Sequence, residues 1–114
     1  MRVLVVDDEP DIREALRDIL VAALDADVAT ARDGVQALEA LRDSAFDALV
    51  TDERMPNMRG SELLRAIGDR GPPVRVLMTA YAQGPELAES CGATHFVPKP
   101  LDFAMLRRIL QGAA

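Results

Sequence analysis

Two kinds of segment alternate five times along these 114 residues, and that alternation limits the fold more than any other feature. The first kind is short and rich in β-branched or apolar residues. It covers Val3-Leu4-Val5-Val6, Val28-Ala29-Thr30, Ala48-Leu49-Val50-Thr51, Val74-Arg75-Val76-Leu77-Met78 and His95-Phe96-Val97. The second kind is longer, with apolar residues three and four apart. Ile12, Leu16, Ile19, Leu20 and Ala23 mark the first, and Val35, Leu38 and Leu41 the second. Leu63, Leu64 and Ile67 mark the third, Leu87 and Cys91 a short fourth, and Leu106, Ile109 and Leu110 the last. Short runs of this composition read as strands, and the longer periodic stretches as helices.

Strand, helix, strand at this spacing implies parallel strands joined by right-handed crossovers. Strands that are apolar throughout fit a sheet covered by helices on both faces. The expected fold is therefore α/β, an open doubly wound five-stranded parallel sheet, (βα)5, with the flavodoxin-like strand order 2-1-3-4-5. Boundary signals agree. Pro10 suits the first turn of helix one and Pro85 the start of helix four. Asp33, Ser61 and Asp102 are expected N-caps, and Gly68, Gly71 and Gly92 are expected to punctuate helix ends.

Composition narrows the class. The length fits one domain spanning residues 1–114, and a 49% hydrophobic fraction supports a packed core. The single cysteine, Cys91, excludes an internal disulfide and reads as a small packed residue. No apolar run approaches the roughly 20 residues of a membrane span, and no signal-peptide pattern opens the chain. The net charge of −6 offers no basic face for nucleic acid. The expectation is a cytoplasmic protein that binds neither membrane nor nucleic acid.

In an open parallel sheet, ligands bind beyond the carboxyl ends of the strands. Asp7, Asp8 and Glu9 follow strand one, and Asp52 follows strand three. Thr79 and Ala80 end strand four, and Lys99-Pro100 follows strand five. Carboxylates gathered at one edge repel each other, which raises the pKa of at least one unless a cation intervenes. An all-oxygen ligand set favours Mg²⁺, with Mn²⁺ as the alternative. Mg²⁺ shares its ligands readily with phosphate. Lys99 then supplies a fixed charge to that phosphate and Thr79 a hydroxyl. Each residue alone has a plain alternative: acids after strands cap helices, and Lys-Pro is usually a surface turn. Four elements converging at one edge are much harder to explain that way.

These residues resemble the receiver domains of two-component response regulators, and the resemblance runs from Arg2 to about Leu110. Val5-Val6-Asp7-Asp8-Glu9-Pro10 is similar to the family's opening strand and acidic pair. Asp52-Glu53-Arg54-Met55-Pro56-Asn57-Met58-Arg59-Gly60 is similar to its phosphoacceptor loop, and Met78-Thr79-Ala80 to its switch threonine and following small residue. Gly92-Ala93 and Lys99-Pro100 resemble the approach to the fifth strand and its end. The resemblance implies that Asp52 takes a phosphoryl group from a sensor histidine kinase or a histidine phosphotransfer protein. It implies a Mg²⁺ site made by Asp7, Asp8, Asp52 and the Arg54 backbone carbonyl, with Lys99 on the phosphoryl oxygens. Thr79 would swing to the acyl phosphate and Phe96 would be the switch aromatic that turns inward afterwards. The Lys99–Pro100 bond would be cis. Arg54 and Tyr81 occupy positions that modulate the lifetime of the phosphorylated state. The downstream protein target would read the face from the fourth to the fifth helix, and the chain would be a monomer or a weak dimer. The only chemistry expected is self-phosphorylation from a phosphodonor and auto-dephosphorylation.

Two features depart from the pattern. Thr79 and Lys99 stand 20 positions apart, a short interval, so the fourth helix is expected to be short or partly unwound. Arg54 is expected to pair with the acidic cluster or with the phosphoryl group. His95, alone in the fifth strand, lacks partners for a triad and reads as structural. Met55, Met58 and Met78 read as packing residues. Rival readings fare worse. An aspartate-nucleophile phosphatase of the haloacid dehalogenase kind needs an acid two residues after its nucleophile, where Arg54 stands. A nucleotide-binding module needs a glycine-rich turn where Asp-Asp-Glu-Pro stands. The chain is expected to be a stand-alone receiver or the receiver portion of a larger regulator or hybrid kinase.

Overall fold

The computed structural model describes residues 1–112. Five strands alternate with five helices: β1 (Arg2–Val6), α1 (Pro10–Leu24), β2 (Asp27–Ala31), α2 (Gly34–Asp43), β3 (Ala48–Asp52), α3 (Gly60–Ile67), β4 (Val74–Thr79), α4 (Gly84–Cys91), β5 (His95–Pro98) and α5 (Phe103–Gln111). All four strand pairings are parallel. The order is β2-β1-β3-β4-β5, as the alternation predicts.

Side chains of a strand point alternately to its two faces, so one sheet serves two cores. Val3, Val5, Val50, Val76, Met78 and Val97 meet Leu16 and Leu20 of α1 and Leu106 and Leu110 of α5. Leu4, Val6, Leu49 and Leu77 meet Ala37 of α2, Leu63 and Leu64 of α3, and Ala88 and Cys91 of α4. Each of these fully buried leucines and valines contributes about 1.5–3 kcal/mol of transfer free energy. β3, the middle strand, is buried along its whole length. That burial fixes the depth at which its last residue, Asp52, emerges.

Several local expectations hold. Asp33 caps α2 by accepting from the Gln36 amide at 2.8 Å, and Asp102 caps α5 by accepting from the Met105 amide at 3.1 Å. Pro10 opens α1, and Pro85 lies in the first turn of α4. Gly68 and Gly92 end α3 and α4. Met78 is fully buried, and Met55 and Met58 pack on the second core.

Others are corrected. Ser61 is not an N-cap: α3 starts one residue earlier, and Ser61 lies buried in its first turn. Gly71 ends no helix and instead turns the chain between α3 and β4 at φ 123°. Val35 and Ile19 keep the helical period but face solvent, and Gly34 and Ala37 are the buried residues of α2. The fourth helix is short, eight residues, yet it is regularly wound.

Candidate functional site

Four strand ends deliver the site. β1 releases Asp7 and Asp8, β3 ends in Asp52, β4 ends in Thr79, and Lys99 follows β5. Asp7 is fully buried, Asp52 is 6% exposed and Thr79 4% exposed, whereas Asp8 stands in solvent. Carboxylate oxygens of Asp7, Asp8 and Asp52 all lie within 4.8 Å of one another. A cavity of about 430 Å³ opens over them, bounded by Asp8, Glu9, Asp52, Arg54, Thr79, Ala80, Tyr81 and Lys99.

The electrostatics are unbalanced. The Lys99 ammonium lies 3.1 Å from Asp52 Oδ1 and 3.8 Å from Asp7 Oδ2. The first is a close ion pair and the second a longer one. Asp7 Oδ1 accepts the Glu9 amide at 3.0 Å, but Oδ2 has no hydrogen-bond partner, alone among buried side-chain polar atoms of the described residues. Burial raises the Asp7 pKa above the ordinary carboxylate value. The Glu9 amide opposes that rise, Asp52 adds to it by repulsion, and Lys99 opposes it. One ammonium thus serves two buried acids, Asp7 and Asp52, and the exposed Asp8 adds a third negative charge beside them. A buried acceptor without a donor, flanked by two further carboxylates, is what a hard divalent cation would satisfy. The donor set fits such an ion.

The Asp52 loop is tied down at several points. The Thr51 hydroxyl donates to the Asp52 carbonyl at 2.9 Å, and the Gly60 amide donates to the Glu53 carbonyl at 3.1 Å. Gly60 is obligatory, because a Cβ there would collide with the Asp52 carbonyl oxygen. Asn57 adopts φ 70°, a left-handed conformation that asparagine tolerates. Its Nδ2 donates to the Asp33 carboxylate at 3.1 Å, which ties the loop to the cap of α2.

At the rim, Arg54 is not ion-paired with the acids. Its Nε donates to the Tyr81 hydroxyl at 2.5 Å, and its guanidinium carbon lies 4.9 Å from the centre of that ring. The expectation that it pairs with the acidic cluster is corrected: Tyr81, brought to the same rim by the β4–α4 connection, captures it first. The Thr79 hydroxyl accepts the Tyr81 amide at 3.1 Å and so belongs to its own turn. Phe96 is half-buried in the second core, with its ring against Gly84. The Lys99–Pro100 peptide is cis.

His95 is exposed and its Nδ1 contacts only the Thr94 hydroxyl, at 2.9 Å. The Cys91 thiol is buried, and burial pushes its pKa up, so it is a packing group. Two functional-loop features escape a reading of the sequence: the Asn57–Asp33 tie and the burial of Glu53. Glu53 is 2% exposed, and both its carboxylate oxygens are engaged by Ser61. The only sequence signal for that pair is a serine opening a helix shortly after a loop glutamate.

Comparison with known proteins places this geometry in context. Residues 3–111 match the family model described as the response regulator receiver domain. The chain is 37% identical over 115 residues to response regulator protein PilR of Pseudomonas aeruginosa, covering 98% of this chain and 26% of that protein. It is 35% identical to chemotaxis protein CheY of the same organism, covering 97% of this chain and 94% of that one. Sensor histidine kinase RcsC of Salmonella typhimurium is 36% identical over 96% of this chain, which is 12% of its own length. Among solved structures, chemotaxis response regulator CheY4 of Vibrio cholerae superposes with a TM-score of 0.86 at 28% identity, covering 99% of this chain and 98% of that one. The chain thus spans about a quarter of PilR but nearly all of CheY. With the buried acids at the carboxyl edge, the 2-1-3-4-5 sheet and a match across almost its full length, the chain belongs to the response regulator receiver domain family.

Proposed function

We propose that Asp52 is the phosphoacceptor of a two-component signalling step, with Mg²⁺ held by Asp7, Asp8, Asp52 and the Arg54 backbone carbonyl, or Mn²⁺ in its place. The observation that carries this reading is the orphaned, buried Asp7 Oδ2 beside Asp52, with Lys99 as the cation nearest both. When bound, the metal neutralises charge on the transferring phosphoryl group. The chain's own residues do the rest. An Asp52 carboxylate oxygen attacks phosphorus of a phosphohistidine. The P–N bond breaks, the imidazole departs with its electron pair and takes a proton, and an acyl phosphate forms on Asp52.

Lys99, already 3.1 Å from Asp52, stays within reach of the new phosphoryl oxygens. Those oxygens compete for the Thr79 hydroxyl, which in the resting chain only accepts from Tyr81 and so has its proton to donate. Moving Thr79 disturbs its turn and the neighbouring Phe96, which packs beside it at Gly84. That movement shifts a two-state equilibrium of the surface formed by α4, β5 and α5, where a downstream protein would read it.

The donor is a sensor histidine kinase or a histidine phosphotransfer protein. Relatives of both layouts support two settings: nearly the whole of CheY is matched, but only part of PilR and RcsC. The chain acts either as a stand-alone receiver, monomeric or weakly dimeric, or as the receiver of a larger regulator or hybrid kinase. No described helix is long and apolar enough to cross a membrane, which accords with action in the cytoplasm. Receiver domains are signalling modules rather than turnover enzymes, and hydrolysis of small phosphomonoesters is not expected.

The test is incubation with acetyl phosphate and Mg²⁺, read by mass spectrometry. The expected result is a gain of one phosphoryl group, lost in Asp52→Ala. Absence of any gain with acetyl phosphate and with a phosphorylated histidine kinase would refute the proposal.

A further inference from the structure

We propose that Glu53 is a positioning residue for the metal and phosphoryl site, acting through a two-point bond to Ser61. The inference rests on the phosphoacceptor reading, because Glu53 lies between Asp52 and Arg54, the two loop residues assigned there to the metal. Glu53 is an acidic residue that opens the loop directly after β3, yet it is only 2% exposed. A carboxylate is stripped of water at considerable cost unless its oxygens find donors. Here both do. Oε1 accepts the Ser61 amide at 2.7 Å and Oε2 accepts the Ser61 hydroxyl at 2.9 Å.

The arrangement does two things at once. The Ser61 amide belongs to the first turn of α3, where backbone N–H groups lack helical partners. No side-chain oxygen at the capping position, Arg59, is there to help, and Glu62 serves only the Arg59 amide at 3.1 Å. Glu53 therefore caps α3 from across the loop, with its charge at the favourable end of the helix dipole. The same residue is fixed through its backbone: its amide donates to the Met78 carbonyl and its carbonyl accepts from Gly60, each at 3.1 Å. Four bonds thus define residue 53, and its two neighbours inherit that definition. Asp52 is set in depth relative to Asp7, and the Arg54 carbonyl is set in direction. Metal ions with strict octahedral geometry lose affinity when a ligand drifts by a fraction of an ångström.

A glutamine at position 53 keeps the shape, one oxygen to accept the Ser61 amide and one NH₂ to donate to its hydroxyl. An alanine keeps neither. If bond geometry is the device, the two substitutions separate. The measurement is a Mg²⁺ titration of the full chain followed by amide NMR shifts, alongside thermal unfolding without metal. Glu53→Ala is expected to weaken Mg²⁺ at least about tenfold, and Glu53→Gln to restore affinity to within about twofold of the wild type. A folded Glu53→Ala with wild-type Mg²⁺ affinity overturns the inference, and so does Glu53→Gln if it is as weak as Glu53→Ala. Should Glu53→Ala fail to fold, Ser61→Ala removes one of the two bonds and leaves the amide. It is then expected to weaken Mg²⁺ by about two- to fivefold, and an unchanged affinity overturns the inference. The wild-type titration separates the two levels: no Mg²⁺ binding there refutes the metal reading itself, whereas wild-type binding that no variant alters refutes only the role of Glu53.

Discussion

At the amino end of the sheet, charged groups are used to finish the backbone. The Asp47 carboxylate accepts the Arg2 amide at 2.7 Å, and the Arg75 guanidinium donates to the carbonyls of Gly68, Arg70 and Pro72 beyond α3. At the carboxyl end, Asp7 is buried with one oxygen unpartnered, and Asp7 and Asp52 share Lys99 while Asp8 adds its charge within 4.8 Å. The larger cavity, about 610 Å³, lies at the amino end between α3 and α4, whereas the one over Asp52 measures about 430 Å³. Volume therefore does not locate the chemistry here. Unsatisfied charge does, because a folded chain tolerates it only where a ligand or a reaction will resolve it.

The sharpest way to break this contrast is to neutralise the orphan. Asp7→Asn keeps an oxygen for the Glu9 amide and turns the unpartnered oxygen into a donor facing the Asp52 and Asp8 carboxylates. Mg²⁺ affinity is expected to fall by about tenfold or more, while metal-free stability at pH 7 rises by about 1–2 kcal/mol. The sign follows from linkage. Burial raises the folded-state pKa of Asp7, so the native chain binds more protons than the unfolded one between the unfolded value and the raised one. Asp7 therefore costs stability as pH rises through that window, and the cost is fully present above it. Thermal unfolding of both proteins at pH 7, with and without Mg²⁺, checks this, and a destabilised Asp7→Asn would contradict it.

Arg75→Ala probes the other end. It removes three guanidinium bonds to carbonyls in the turn after α3, and should cost about 1–2 kcal/mol in urea unfolding. Mg²⁺ affinity and phosphoryl uptake should stay at wild-type levels. A loss of Mg²⁺ affinity beyond about twofold would mean that the two ends are coupled through β4.

Asp33→Ala tests a link between the ends of the loop and the scaffold. Asp33 caps α2, and its pKa is held below the usual range, first by the Gln36 amide and then by Asn57. Its sign is opposite to that of Asp7: it contributes stability above its unfolded value, and that contribution is lost as pH falls through the lowered folded value. Loss of the cap should cost about 1 kcal/mol at pH 7, and the difference from wild type should shrink in acid. A difference that does not shrink would assign the effect to packing.

The carboxyl-edge site was largely legible because it depends on which residue follows each strand. Asp7, Asp8, Asp52, Thr79 and Lys99 sit at positions that the βα alternation alone assigns to one edge, and the resemblance then supplied roles. What escaped depends on where loops travel. Nothing in the sequence marks Glu53 as buried, because its burial comes from the α3 turn that closes over it. Asn57 and Asp33 are 24 residues apart and meet only because α2 and α3 are neighbours. Val35 and Ile19 have the right period, but α1 buries Leu16 and Leu20 and α2 buries Gly34 and Ala37, so both residues fall at the exposed edge of their stripes.

Arg54 lies at the rim of the site and pairs there with Tyr81 rather than with the acidic cluster, and of these residues it carries the smallest effect. In the resting chain its guanidinium is occupied by Tyr81 across the mouth of the site. On the proposed function, that bridge would narrow the path by which water reaches an acyl phosphate on Asp52. Arg54→Ala should therefore speed dephosphorylation by about threefold, less than 1 kcal/mol in barrier. Tyr81→Phe keeps the ring and removes only the hydroxyl, so it frees the guanidinium to turn inward toward the phosphoryl group. If occlusion by the bridge governs the lifetime, Tyr81→Phe should approach the rate of Arg54→Ala. If direct contact with the phosphoryl group governs it, Tyr81→Phe should slow the loss of phosphate below the wild-type rate. Dephosphorylation followed by mass spectrometry in saturating Mg²⁺ distinguishes the two, and equal rates in all three proteins would remove Arg54 from any role in the lifetime.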